Sequence, residues 1–563
     1  MNRTRRRWCP ETVTGSQAVG HGAGMRAVFH ATTVLALVLG PGCSTAPGSI
    51  GQFGDSASGA DSTSGTSGTT GTSNGAATSA AVTGEAESNS DTTSASAVFD
   101  VGGGPDIASP GDPVIPETCA QAENGLSTVG CLFYSVDLDQ GSDALQYAVA
   151  LSNVQLDGVV EVMIEQKIGG AWQVIEGPDP VAPLELAIYP LPANHQEGSG
   201  VREGGAYRIT ADRPIVAYQF NPLFGGSFSS DASMLYPVPA LDTLSYVPHY
   251  EGLGPARGYI TVAAVEDGTE IIVAVAVPTD AGPGVPAGTP DMPFAITLNE
   301  GDVAEFQLTS APGSLSGTRL ESDRPIAVFS GHTCAFIPGT HGGACDHLEE
   351  QISGVRRWGQ NFVASRMPVR LPAAPEDSLW HIVASEDDTV VTLSANPAVT
   401  GLPNSPAVLN AGESLEFFAA GSAAHPGDFI VASDKPIAVM NYMTGSSFGG
   451  DIGDPAMVQL SPSEQFLPRY VLLVPDQWVT DVLVITRPAG VAIDLDGVEI
   501  DDAEFIDVDD GAFQVARVVV ADGVHTLEAS VGFSVIVVGF DEWDSYAYLA
   551  GSGTGVINPN PAG

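Results

Sequence analysis

The chain has 563 residues, of which 15% are charged, with 66 Gly and 41 Pro. Its balance is acidic, 20 Lys and Arg against 67 Asp and Glu for a net of −47, and beyond Cys43 it becomes 15 against 66, or −51. Such a surface repels nucleic acid and anionic lipid, which excludes both as ligands, and the Gly/Pro-rich mix points to a turn-rich, mostly β protein.

Residues 27–40 (AVFHATTVLALVLG) form a short apolar run after Arg26. It is too short to span a bilayer and has the shape of a signal-peptide core. Residues 1–43 therefore read as a signal peptide, with Met25 as an alternative start and an upstream extension before it. Leu39-Gly40-Pro41-Gly42-Cys43 resembles a bacterial lipobox, although Pro41 departs from the pattern. That resemblance implies lipidation of Cys43, and Ser44 beside it implies an outer-membrane, cell-surface anchor. Simple secretion is the alternative. Residues 44–97 are Ser/Thr/Gly/Ala repetition with no aromatic after Phe53 and no Lys or Arg. They bury too little apolar surface to offset chain entropy and read as a disordered tether.

From Val98 the texture changes to short β runs without helical periodicity. Asp212, Asp323 and Asp434 stand 111 residues apart in TADRPIVAYQF, SDRPIAVFSGH and SDKPIAVMNYM. A period that long is a whole small domain. The expected architecture is all-β, a row of four tandem β-sandwich-like modules at 98–240, 241–355, 356–465 and 466–556. A β-propeller is the alternative. Each Asp-x-Pro is expected to make a turn, with Pro opening the strand that follows. Asp231-Ala-Ser-Met234, Asp346-His-Leu348 and Asp454-Pro-Ala-Met457 then read as connectors to the next module.

With SDRPIAVFSGHTC, CDHLEEQ, RWGQNFV and GDPAMVQLSPSEQFLPRY in view, residues 131–551 resemble the N-terminal domain of the IgG Fc-binding protein family. That family includes an animal mucus glycoprotein and bacterial surface lipoproteins predicted from sequence. The resemblance implies an extracellular, non-enzymatic binding or adhesion role with a protein or glycan ligand and no cofactor. The animal protein self-cleaves at Gly-Asp-Pro-His, whereas Gly453-Asp454-Pro455-Ala456 has Ala in place of His, so no self-cleavage is expected.

His332-Thr-Cys334 and Cys345-Asp-His347 could make a tetrahedral zinc site from two thiolates and two imidazoles. The favoured reading is a Cys334–Cys345 disulfide, because an exported chain oxidises such pairs, and Cys119–Cys131 pairs likewise. The carboxylate-dense segment 494–510 does not match EF-hand spacing and reads as solvated turns. No G-x-S-x-G, H-E-x-x-H, phosphate-loop or dinucleotide fingerprint occurs. The alternative function, an extracellular hydrolase of glycans or peptides, would need paired carboxylates in a cleft. The connection 331–358 is the expected ligand surface. It carries His332, His341, His347, Arg356, Arg357 and Trp358, and Arg and Trp are common binding hot spots.

Overall fold

The structure, a computed structural model, describes residues 115–141, 145–223, 229–250, 256–339, 343–559 and 561. The expected signal peptide, Cys43 and the expected tether to residue 97 lie outside them. Among these residues, apart from one helical turn at Cys119–Ala122, closed by a Thr118/Gln121 capping box, and short 3₁₀ turns, the regular structure is β.

Each of four sheets is organised on one long strand: Ala206–Asn221, Thr318–Ala335, Phe429–Tyr442 and Gly523–Asp541. The second module shows the plan. The first half of Thr318–Ala335 lies between Asp242–Val247 and Thr269–Ala274, with Phe294–Leu298 outside the latter. Its second half lies between Asp346–Gln351 and Gly258–Ala264, with Val303–Gln307 outside. One strand therefore serves two antiparallel layers, and the module is sandwich-like. Gly200–Arg202, from the first module's chain, adds a further strand beside Val303–Gln307. Burial follows position: Thr269–Ala274 and Phe294–Leu298 alternate buried and wet, whereas Gly258–Ala264 is buried throughout.

The switch between layers falls on the repeated Asp-x-Pro, and here the structure corrects the sequence reading. The segment is not a turn ahead of a strand. It is a wide bulge inside a continuous strand, where the register slips between Glu321 and Ile326. The slip recurs before Ile215 and Ile437, and in the fourth module before Phe533. The chemistry of the bulge is local. Asp212, Asp323 and Asp434 accept hydrogen bonds from the backbone N–H of Glu161, Glu270 and Val390 at 2.8, 2.9 and 2.8 Å. The next residue reaches a hairpin carbonyl: Arg213 to Asp157, Arg324 to Asp267 and Lys435 to Asp387. Pro, which has no N–H to leave unsatisfied, then occupies the point where the ladder is broken.

The modules do not run out in a row. The last strands of the four sheets, Asp231–Met234, Asp346–Gln351, Met457–Gln459 and Asp544–Leu549, pack on one another in a closed circuit. The chain closes the ring where Thr128 N–H donates to Ser552 O and Thr554 N–H to Leu126 O, both at 3.1 Å. Side chains seal the seams: Arg208 with Glu300 between modules one and two, and Ser316 with His381 between two and three. Arg517 with Asp428 joins three to four, and the Tyr218 and Tyr548 rings, 4.7 Å apart, join four to one.

Removing one bulge carboxylate tests this account of the repeat. Asp323→Ala should lower stability by about 1 kcal/mol, the net worth of a partly exposed hydrogen bond. Asp323→Asn, which keeps an acceptor, should recover most of it, as read from chemical-denaturation midpoints.

Candidate functional site: the axial carboxylates and the loops beside them

The four packed strands meet at an axis, and one carboxylate sits on it. Asp231 accepts hydrogen bonds from Ala232, Glu349, Met457 and Ala547 N–H, at 2.9, 3.2, 3.2 and 3.3 Å. These donors are equivalent by register. They pair with Phe220, Gly331, Tyr442 and Val538, each five residues beyond the residue paired at the bulge. Each module thus contributes the same amide. Burial pushes the Asp231 carboxyl well above the ordinary range, and the four N–H donors act in the opposite direction.

Three residues before those amides stand Ser229, Asp346, Asp454 and Asp544. The three aspartates bring one oxygen each within 4.8 Å of one another. All three are buried, and among the described residues both oxygens of Asp346, both of Asp544 and Oδ2 of Asp454 lack a close hydrogen-bond partner outside the group and the adjoining Ser230 and Ser545. Burial raises Asp346 and Asp454 well above the usual carboxylate range and Asp544 to about 7, with repulsion from neighbouring carboxylates adding to it. The segments read from sequence as connectors therefore form the axial strands at Asp231–Met234 and Asp346–Leu348 and, at Asp454–Met457, lead into one. Asp231 is not the counterpart of Asp346 and Asp454, because it lies two positions further along. Asp544, which completes the set, was missed: its segment DSYAYL shares only the Asp with the others.

Beside these carboxylates lie the loops that join each long strand to its axial strand: 222–230, 336–345, 443–456 and 542–543. The Cys334–Cys345 bond staples the second. Gly445 N–H donates to Ile337 O and Gly453 N–H to Asp541 O, both at 2.7 Å, so the loops are laced together. Phe448, Ile452 and Trp543 are exposed here, at 38%, 39% and 39%. Ile452 bridges Glu542, next to Trp543.

The residues expected to touch a ligand fall elsewhere. His332 (1% exposed), Arg357 (6%) and Trp358 (2%) are inside the protein. Arg357 donates to the carbonyls of Thr554, Leu241 and Pro239, and so holds the exit of the fourth module against the link from the first to the second. Trp358 donates to Ser353 O and packs with Leu244, Tyr246, Val355, Val383 and Ala438. Arg356 keeps accessible surface and pairs with Asp242 at 3.7 Å. His341 lies outside the described residues. Cys334 and Cys345 are bonded to each other, as are Cys119 and Cys131, so the sulfurs that the zinc alternative needs as thiolates are already used. His347 is buried in the same axial strand as Asp346.

Residues 231–539, more than half of the chain, match the family described as IgGFc binding protein. A human protein named IgGFc-binding protein is 25% identical over 337 residues, which is 59% of this chain. The chain spans only about 6% of that relative's length.

His249, His332 and His381 are held neutral by burial, at about 3, 4 and 4. A folded-state pKa below the unfolded value gives stability that is full above pH 6.5 and is lost as pH falls toward 4. His332→Gln should remove one such contribution. The gap between wild type and variant should shrink on acidification from pH 7.5, by roughly 2 kcal/mol at pH 4.5. Parallel melting curves across that range check it.

Proposed function

The chain belongs to the IgGFc binding protein family, and from that premise we propose that it is a non-enzymatic protein that binds an extracellular protein partner through the loop face of the axis. The observation that carries the reading is that face itself. Three of the loops on a closed β ring are laced to one another, one of these is stapled by a disulfide, and two neighbouring loops present Phe448, Ile452 and Trp543. Binding residues concentrate on loops that a scaffold holds still, and exposed aromatics on such loops are the usual anchors. Asp451, Asp541 and Glu542 around them favour a partner with a basic rim.

The setting follows from the same premise. Two disulfides suit an exported chain. Among the described residues no helix is long and apolar enough to cross a membrane. Attachment is assigned to Cys43, with residues 44–97 as the tether that lifts the ring from the outer membrane for adhesion. The hydrolase alternative is disfavoured because the three carboxylates that approach one another are buried, out of reach of a glycan or peptide.

The full chain, immobilised and exposed to a panel of extracellular glycoproteins with the IgG Fc fragment as first probe, should bind at least one saturably. Phe448→Asp should weaken that binding by roughly tenfold or more at unchanged melting temperature. Equal affinity of wild type and Phe448→Asp for every binder would move the contact surface away from these loops.

A further inference from the structure

Asp346, Asp454 and Asp544 are three acids taken out of water, and among the described residues no basic side chain forms an ion pair with any of them. Arg370, whose charge acts on Asp454, is committed to Glu376 at 3.1 Å and to the Thr444 and Ile452 carbonyls. An unpaired buried carboxylate is among the costliest groups a fold can hold. Asp231, on the same axis and equally buried, shows how the fold satisfies such a group when nothing else is to bind there: it supplies four N–H donors. The trio receives almost none. Asp346 is fully buried, one of its oxygens approaches those of its two counterparts, and among the described residues neither oxygen has a partner outside the trio. A second, independent observation comes from the first module. Ser230, 1% exposed, turns its hydroxyl toward the Asp544 carboxyl, whose charged form it favours, and among the described residues it meets no other partner. Ser229 stands at the fourth equivalent position.

We propose that Asp346, Asp454 and Asp544, with the hydroxyl of Ser230 beside them, form an internal site for one hard divalent cation, with Ca²⁺ the best fit. Three carboxylates offer up to six oxygens, and the hydroxyl and water complete the six to eight that Ca²⁺ takes. The donor set contains no sulfur or imidazole, which disfavours zinc and copper. Each carboxylate comes from a different module, so the cation ties modules two, three and four together directly below the loop face. Its role is to set the spacing of the loops that the binding face is built from.

The test uses the full chain, stripped with a chelator and dialysed. Ca²⁺ titration calorimetry should show one site per chain, and added Ca²⁺ should raise the melting temperature by several degrees. Asp346→Asn and Asp544→Asn, which keep volume, should each abolish the site or weaken it at least a hundredfold. Asp494→Asn, in the exposed acidic segment, should leave it unchanged. Tb³⁺ in place of Ca²⁺ should show luminescence sensitised by Tyr546, so a variant that folds poorly can still be read at low concentration. Two results overturn the proposal. One is Ca²⁺ binding that Asp346→Asn and Asp544→Asn leave intact. The other is a chelated protein as stable as the loaded one that Asp346→Asn stabilises further, since the trio would then be relieved by a shared proton. Loop-face binding of the glycoprotein panel is scored separately, so either reading can fail without the other.

Discussion

Four backbone N–H groups, one from each module and all at the same register position, converge on the carboxylate of Asp231. Inner edge strands must meet something, because a buried, unpaired amide costs about 1–3 kcal/mol. Four of them around one axis cannot satisfy each other, since each is a donor. A single carboxylate with two acceptor oxygens satisfies all four. That requirement explains why an acid sits at the most buried point of an acidic protein, and why module one differs from its sisters there: Leu348, Ala456 and Tyr546 occupy the matching positions.

Once the axis is fixed, the two ends of the ring take different roles. At one end the module-to-module links are drawn in and locked. Arg357 bridges three carbonyls, and residues 126–128 are paired with 552–554, so that end is structural. At the other end the loops between long and axial strands are free to vary in length, from the two residues 542–543 to the span 443–456. Variable loops on an invariant frame suit a binding protein. The same geometry explains the division of charged side chains: those near the axis and seams are paired or buried, while most of the acidic excess stays on the outer surface.

Much of the fold was legible because local chemistry forces it. Phe294–Leu298 and Phe513–Val520 are β-branched and aromatic-rich runs bounded by turns, and both are strands. The 111-residue repeat was legible because Asp and Pro are both needed at the bulge. Its meaning was not. Pro usually opens a strand, and nothing local says that the residues before it already belong to one. The axial strands were illegible for a different reason. Asp346–Gln351 reads DHLEEQ, polar at five of six positions, yet all six residues are buried. Their neighbours are strands from other modules, and no window of sequence contains that information. Arg357 and Trp358 misled in the same way: an aromatic beside two cations resembles a contact surface until the ring closes over it.

On this geometry the four modules behave as one unit because their amides share Asp231. Hydrogen exchange read by mass spectrometry, comparing wild type with Asp231→Ala, tests it most directly. Ala232, Glu349, Met457 and Ala547 lie far apart in sequence and fall in separate peptides. The account predicts that all four peptides are among the slowest to exchange in the wild type, and that all four accelerate together in the variant. Acceleration confined to the peptide around Ala232, with the other three unchanged, would contradict it.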